Sequence, residues 1–155
     1  MPVALMSRTI LDKQVLVAAS GIGSDSWLDE IITATGARKA GIDEADYIIA
    51  SSVPEFAELR SVKQGTLLSP EDGATLIIWL SDVIGGDAGT IEISGPGVED
   101  LASLRVSSAM ISLIKHRCAI EFEYPLGFDL FAIGSEGFLI GLPRTSSVKI
   151  ISEKG

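Results

Sequence analysis

Cysteine is nearly absent from this chain, with Cys118 alone among 155 residues. A single thiol excludes an internal disulfide framework and a cysteine-based zinc site. Basic charge is scarce as well: 12 Lys and Arg stand against 21 Asp and Glu, for a formal net charge of −9. Such a field repels a phosphodiester backbone, so no nucleic-acid partner is expected. No apolar run reaches the ~18 residues that crossing a bilayer requires, so no membrane partner is expected either. Met1 to Met6 shows no basic region followed by an apolar core. No secretory signal is read there, and the cytoplasm is the expected compartment.

Apolar side chains are what the chain has in quantity, at 46% of residues with a mean hydropathy of +0.38. This length and composition predict a single domain over residues 1–155, with 1–10 and 152–155 loosely held. The apolar surplus without a membrane span points to a subunit interface.

The stretch from Tyr124 to Val148 organises the rest. Phe128–Ile133 and Phe138–Leu142 are apolar runs of strand length, and Gly134-Ser135-Glu136-Gly137 supplies a turn between them. Their continuous apolar character predicts strands covered on both faces inside a layered α/β domain. Asp129 at the entry and Arg144 at the exit fall at the same end of this hairpin.

Earlier in the chain, Val15–Ala19 reads as a buried strand, and a helix is predicted from about Asp25 to Thr35. Tyr47–Ala50 is a second strand. Ser52-Val53-Pro54-Glu55 reads as a helix start, with Ser52 and Glu55 at capping-box spacing. Ala74–Val83 is the expected central strand, Gly85–Gly89 a flexible loop, and Thr90–Ser94 a strand pairing antiparallel with the central one. Val106, Ala109, Met110, Leu113 and Ile114 repeat as a helix stripe to His116, and Val148–Ile151 is a last strand.

Four places carry candidate chemistry. Val15 to Gly23, a strand running into Gly21-Ile22-Gly23 before a helix, has the layout of a phosphate cradle, although Ser26 takes the third glycine position. A plain glycine turn is the alternative. His116 and Cys118 form either a base–nucleophile pair or, respectively, a partner for helix-end carbonyls and a small buried hydrophobe. Arg144, held after Pro143, is either an anion clamp or the ion-pair partner of Asp129. Asp72, Asp82 and Asp87 lie in or beside turns without metal-loop spacing, so no metal is expected. Lys13, Lys39, Lys63, Lys115, Lys149 and Lys154 lack the apolar setting of a Schiff-base lysine.

Four blocks then align in order and spacing: Ser69-Pro70-Glu71-Asp72-Gly73-Ala74-Thr75-Leu76-Ile77, Gly95-Pro96-Gly97-Val98, Tyr124-Pro125-Leu126-Gly127-Phe128-Asp129-Leu130 and Leu142-Pro143-Arg144-Thr145. Together they resemble the phosphonate-metabolism family PhnH. The likeness is good from about Pro70 to Val148 and looser from Leu11 to Lys63. Pro125, Gly127, Asp129, Pro143 and Arg144 are its structural motif. Two departures stand out: Tyr124 replaces a common phenylalanine, and an expected amino-terminal segment of the type Phe-Arg-x-Leu-Leu-x-Ala-Met-Ser is not found.

The resemblance implies a three-layer α/β/α sandwich with a mixed β-sheet. That fold is similar to the large domain of pyridoxal-phosphate-dependent transferases, but lacks the cofactor. It further implies a homodimeric subunit of the carbon–phosphorus lyase core complex, which attaches an alkylphosphonate to C1′ of a nucleoside triphosphate and displaces the base. The implied role is accessory, with other core subunits as partners, and no catalytic residue is carried over. A free-standing nucleotide- or phosphate-binding protein using Gly21, Gly23 and Arg144 is the alternative.

Overall fold

A computed structural model describes residues 2–21 and 24–153. Five strands run parallel: β1 (Leu16–Ser20), β2 (Arg38–Lys39), β3 (Tyr47–Ala50), β4 (Thr75–Leu80) and β7 (Asp129–Gly134). With β8 (Leu139–Leu142), antiparallel to β7, they form a six-stranded sheet in the order β2-β1-β3-β4-β7-β8. A second, three-stranded antiparallel sheet has β5 (Ile84–Ser94) between β6 (Ala102–Val106) and β9 (Ser147–Glu153). The fold is α/β with a mixed main sheet.

Side chains alternate across the main sheet and feed two cores. Val17, Ile49, Ile77 and Ile133 pack with Leu11 and with Leu28 and Ile31 of helix α2 (Ser24–Thr35). Ala18, Ile48, Leu76, Ile78, Leu130 and Ala132 pack the other way. There they meet Leu59 of α3 (Phe56–Ser61), Met110, Leu113 and Ile114 of α4 (Ser108–Ala119), and Ile91, Ile93 and Val148 of the second sheet. The central strand β4 buries Leu76, Ile77 and Ile78 completely, which explains its unbroken apolar run.

The strands at Leu16–Ser20, Tyr47–Ala50 and Thr75–Leu80, and the hairpin itself, stand where the sequence pattern places them. Other elements differ. Thr90–Ser94 does not pair with β4; it lies in the second sheet against β6 and β9. Gly85–Gly89 belongs to β5, whose register shifts between Ile84 and Gly89, so the expected loop is an irregular strand segment. The helix after Pro54 starts later than expected, because Glu55 and Glu58 form its capping box in place of Ser52 and Glu55. Residues 2–10 form helix α1 (Pro2–Ile10), an element not read from the sequence. Strand β8 is not covered on both faces: Leu139 is 55% exposed while Ile140 and Leu142 are buried. That alternation fits an edge strand, as does the exposed Arg38-Lys39 pair at the opposite edge.

Candidate functional site

Two regions gather the chemistry. The first is the amino-terminal end of β4 and β7, where the distinctive sequence blocks converge. Pro143 ends β8, and the chain turns so that the Arg144 amide donates to Asp129 Oδ1 at 2.7 Å and its guanidinium to Asp129 Oδ2 at 2.9 Å. The other guanidinium nitrogen donates to the Pro70 carbonyl. Both charged side chains are mostly buried, at 18% and 25% exposure. Gly73 lies against the Gly127 carbonyl and beside the Arg144 guanidinium, leaving no room for a Cβ. Gly127 has φ +141° and its amide donates to the Gln64 carbonyl at 3.0 Å. Arg144 is thus committed to Asp129 and a backbone carbonyl.

A second arginine supports this corner, one that sequence reasoning missed. Arg117 is 5% exposed on α4, and its guanidinium donates to the carbonyls of Pro143 and Arg144 at 3.2 and 3.3 Å. A third contact reaches Ser146 at 3.5 Å. Burial lowers its pKa, with Cys118 and Asp129 acting the other way. The signal was present: continuing the α4 stripe from Leu113 and Ile114 by one turn lands on position 117.

Two exposed leucines and a tyrosine stand on the same end of the molecule. Leu68 is 96% exposed, Tyr124 79% and Leu67 62%. Gln64 links their loops, since it pairs with Gly73 as well as accepting from Gly127.

The second region is the opposite, carboxyl-terminal end of the parallel strands. From β1 the chain goes out to β2 and returns to the other side of β1 as β3, so a topological switch point lies between β1 and β3. A crevice of about 520 Å³ opens beside it, lined by Ser51, Ser52 and Val53 after β3, Trp79, Leu80 and Ser81 at the end of β4, Ser135 after β7, and Ala109 of α4. Gly21, at φ +110°, brings the turn after β1 so close that a Cβ would stand 2.6 Å from Ser51 Oγ. Gly23, the other cradle glycine, lies outside the described residues.

His116 and Cys118 are not brought together. His116 Nδ1 is 3.1 Å from the Pro54 carbonyl and its ring meets Phe56 edge-on, so it serves another segment in place of its own helix end. Cys118 is not the buried hydrophobe that one reading of the sequence offers: it is exposed, and its Sγ donates to the Val148 carbonyl at 3.6 Å. Shielding pushes its thiol pKa up, against the pull of Arg117, which is the wrong direction for a nucleophile. Among the described residues, no group of three His, Cys, Asp or Glu is placed to hold a metal ion. Nor is any helix there long and apolar enough to cross a membrane.

The model of the family described as bacterial phosphonate metabolism protein (PhnH) matches residues 2–149. The chain belongs to the PhnH family. A curated relative is HtxG of Stutzerimonas stutzeri, whose name describes it as a C-P lyase subunit protein, 28% identical over 115 residues. The alignment takes in 74% of this chain and 56% of HtxG, so the chain spans little more than half the length of that relative. Within this PhnH-family chain, the blocks at Ser69–Ile77, Tyr124–Leu130 and Leu142–Thr145 are the ones that Arg144, Asp129, Gly73 and Gly127 tie together.

Proposed function

We propose that this chain is a subunit of the carbon–phosphorus lyase system, with an accessory and scaffolding role. The observation that carries the reading is the corner itself. The most distinctive family blocks meet there as a self-satisfied structural knot, with Arg144 spent on Asp129 and Pro70. Beside it, Leu67, Leu68 and Tyr124 stand exposed on braced loops. A rigid base under exposed apolar side chains is the composition of a protein-binding surface. The name of HtxG points to the same machinery.

In this reading the chain pairs with a second copy and joins the other core subunits in the cytoplasm. The assembly transfers an alkylphosphonate to C1′ of a nucleoside triphosphate with loss of the base. The sheet with cores on both faces is read as the three-layer sandwich similar to the large domain of pyridoxal-phosphate-dependent transferases, without that cofactor. Base release from a nucleoside triphosphate, measured with the other core subunits and an alkylphosphonate, tests the role. Release is expected to need this chain and to fall with Leu68→Glu. Full release without the chain would refute it.

A further inference from the structure

Leu67 and Leu68 form the tip of a tight turn. The Thr66 amide donates to the Ser69 carbonyl at 3.1 Å, and the Ser69 amide donates back to the Thr66 carbonyl and to Thr66 Oγ1, each at 3.1 Å. Turn tips ordinarily carry glycine, asparagine, aspartate or serine, residues that water solvates well. Here two leucines stand at the tip, with Leu68 96% exposed, and the bonds beneath hold the turn in one shape. Large apolar side chains presented on a fixed turn gain from burial against another surface and lose little conformational freedom in the process.

The charge around this tip has one sign. Glu71 and Asp72 follow the turn, Glu121 and Glu123 precede Tyr124, and all four are exposed. None of the four carboxylates has a hydrogen-bond or ion-pair partner among the described residues. Gln64 ties the two acidic segments together: it pairs with Gly73, accepts from the Gly127 amide, and lines with Glu121 a groove of about 390 Å³. The cations nearby do not offset them. Lys63 is bonded to Asp46 and Arg144 to Asp129, which leaves Arg60, in the same groove as Glu121, facing four acids.

We propose, resting on the accessory role given above, that the Leu67-Leu68 tip inserts into an apolar pocket with a lysine- and arginine-rich rim on a different polypeptide of the assembly. Tip and rim then divide the work. The leucines supply a desolvated centre that sets how long the complex lasts. The four carboxylates steer the encounter and reject partners of the wrong charge. A second copy of this chain does not fit the same face, because a two-fold contact sets a patch against itself and would bring these carboxylates together. Pairing of two copies therefore uses another surface.

Surface plasmon resonance of the full chain on the assembled other core subunits tests this, at low and high NaCl. The wild-type association rate is expected to fall about tenfold between about 0.05 and about 0.5 M salt. A neutralised variant, Glu71→Gln, Asp72→Asn, Glu121→Gln and Glu123→Gln, should associate about tenfold more slowly at low salt and lose most of the salt dependence. Leu67→Ser with Leu68→Ser should instead dissociate about tenfold faster at either salt. Both variants change exposed side chains, so melting temperatures should stay at the wild-type value, as should the mass of the isolated chain by light scattering. Wild-type salt dependence in the neutralised variant, or wild-type dissociation in the leucine variant, would overturn the proposal while leaving the accessory role standing. A lower mass for the isolated leucine variant would overturn it as well, by showing that the tip joins two copies. A wild-type chain that does not bind at all would overturn the accessory role and the proposal together.

Discussion

The Asp129 carboxylate receives Arg144 twice, from the backbone amide at 2.7 Å and from the guanidinium at 2.9 Å. One residue at the entry of the hairpin therefore fixes both the backbone and the side chain of one at its exit. The pair is mostly shielded, so its loss should exceed that of an exposed ion pair. Arg144→Ala should cost about 2 kcal/mol and Asp129→Asn about 1, with the double variant costing less than the sum. Urea denaturation of all four proteins checks this. Unchanged stability in both single variants would mean that the pair holds nothing.

Glycine at 73 is required by space and at 137 by backbone angle. Gly73 has an ordinary φ of −61°, but a Cβ there would collide with the Gly127 carbonyl oxygen. Gly137 has open space around it and φ +87°. Gly73→Ala should cost about 2 kcal/mol from overpacking. Gly137→Ala should cost about 1 kcal/mol, from left-handed strain alone. Thermal melts of the two variants measure the difference. A Gly73→Ala protein as stable as wild type would remove the close approach of the two loops.

The hairpin was legible because apolar runs, turn residues and two prolines all gave the same answer. The parallel strands were legible for a similar reason: Leu76–Leu80 is an unbroken apolar run because both faces of β4 are covered. What stayed hidden depended on tertiary partners. Thr90–Ser94 alternates as any half-covered strand does, and nothing local says which sheet it joins. Ala102–Val106 is exposed at alternate positions and mixes polar with apolar residues, so it left no run to notice. At the candidate sites, the Asp129–Arg144 approach followed from hairpin geometry. The crevice did not, since Ser51, Ser81 and Ser135 come from three separate strand ends.

Arg117 should resist replacement by lysine. One terminal nitrogen, Nη2, donates to the carbonyls of Pro143, Arg144 and Ser146 from a buried position, and a lysine changes both the reach to them and the shape that fills the site. Arg117→Lys should cost about 2 kcal/mol, near the worth of a charge-assisted hydrogen bond plus an unmet carbonyl. Differential scanning calorimetry reads the change. A lysine variant melting with wild type would show that the 143–146 turn holds without the guanidinium.

Asp46 makes stability depend on acidity. Burial raises its pKa, but hydrogen bonds from the Leu16 amide and Lys63, with the charges of Lys63 and Arg38, outweigh burial and set it below the ordinary 3.8. A depressed folded pKa means that the unfolded chain takes up the proton first as pH falls. The contribution is therefore complete above about pH 4 and is lost as pH drops through the lower folded value. Asp46→Asn should be less stable than wild type at pH 7, by an amount kept small by solvent screening, and the gap should close below about pH 4. A gap that is constant with pH would contradict the carboxylate's role.

Membership of the carbon–phosphorus lyase assembly is tested most directly by size-exclusion chromatography with light scattering of the chain mixed with the other core subunits. The account predicts that the chain moves into the high-mass peak, and that Leu68→Glu leaves it behind while keeping its wild-type melting temperature. A wild-type chain that elutes alone, at its own mass, beside a complete assembly of the other subunits would contradict it.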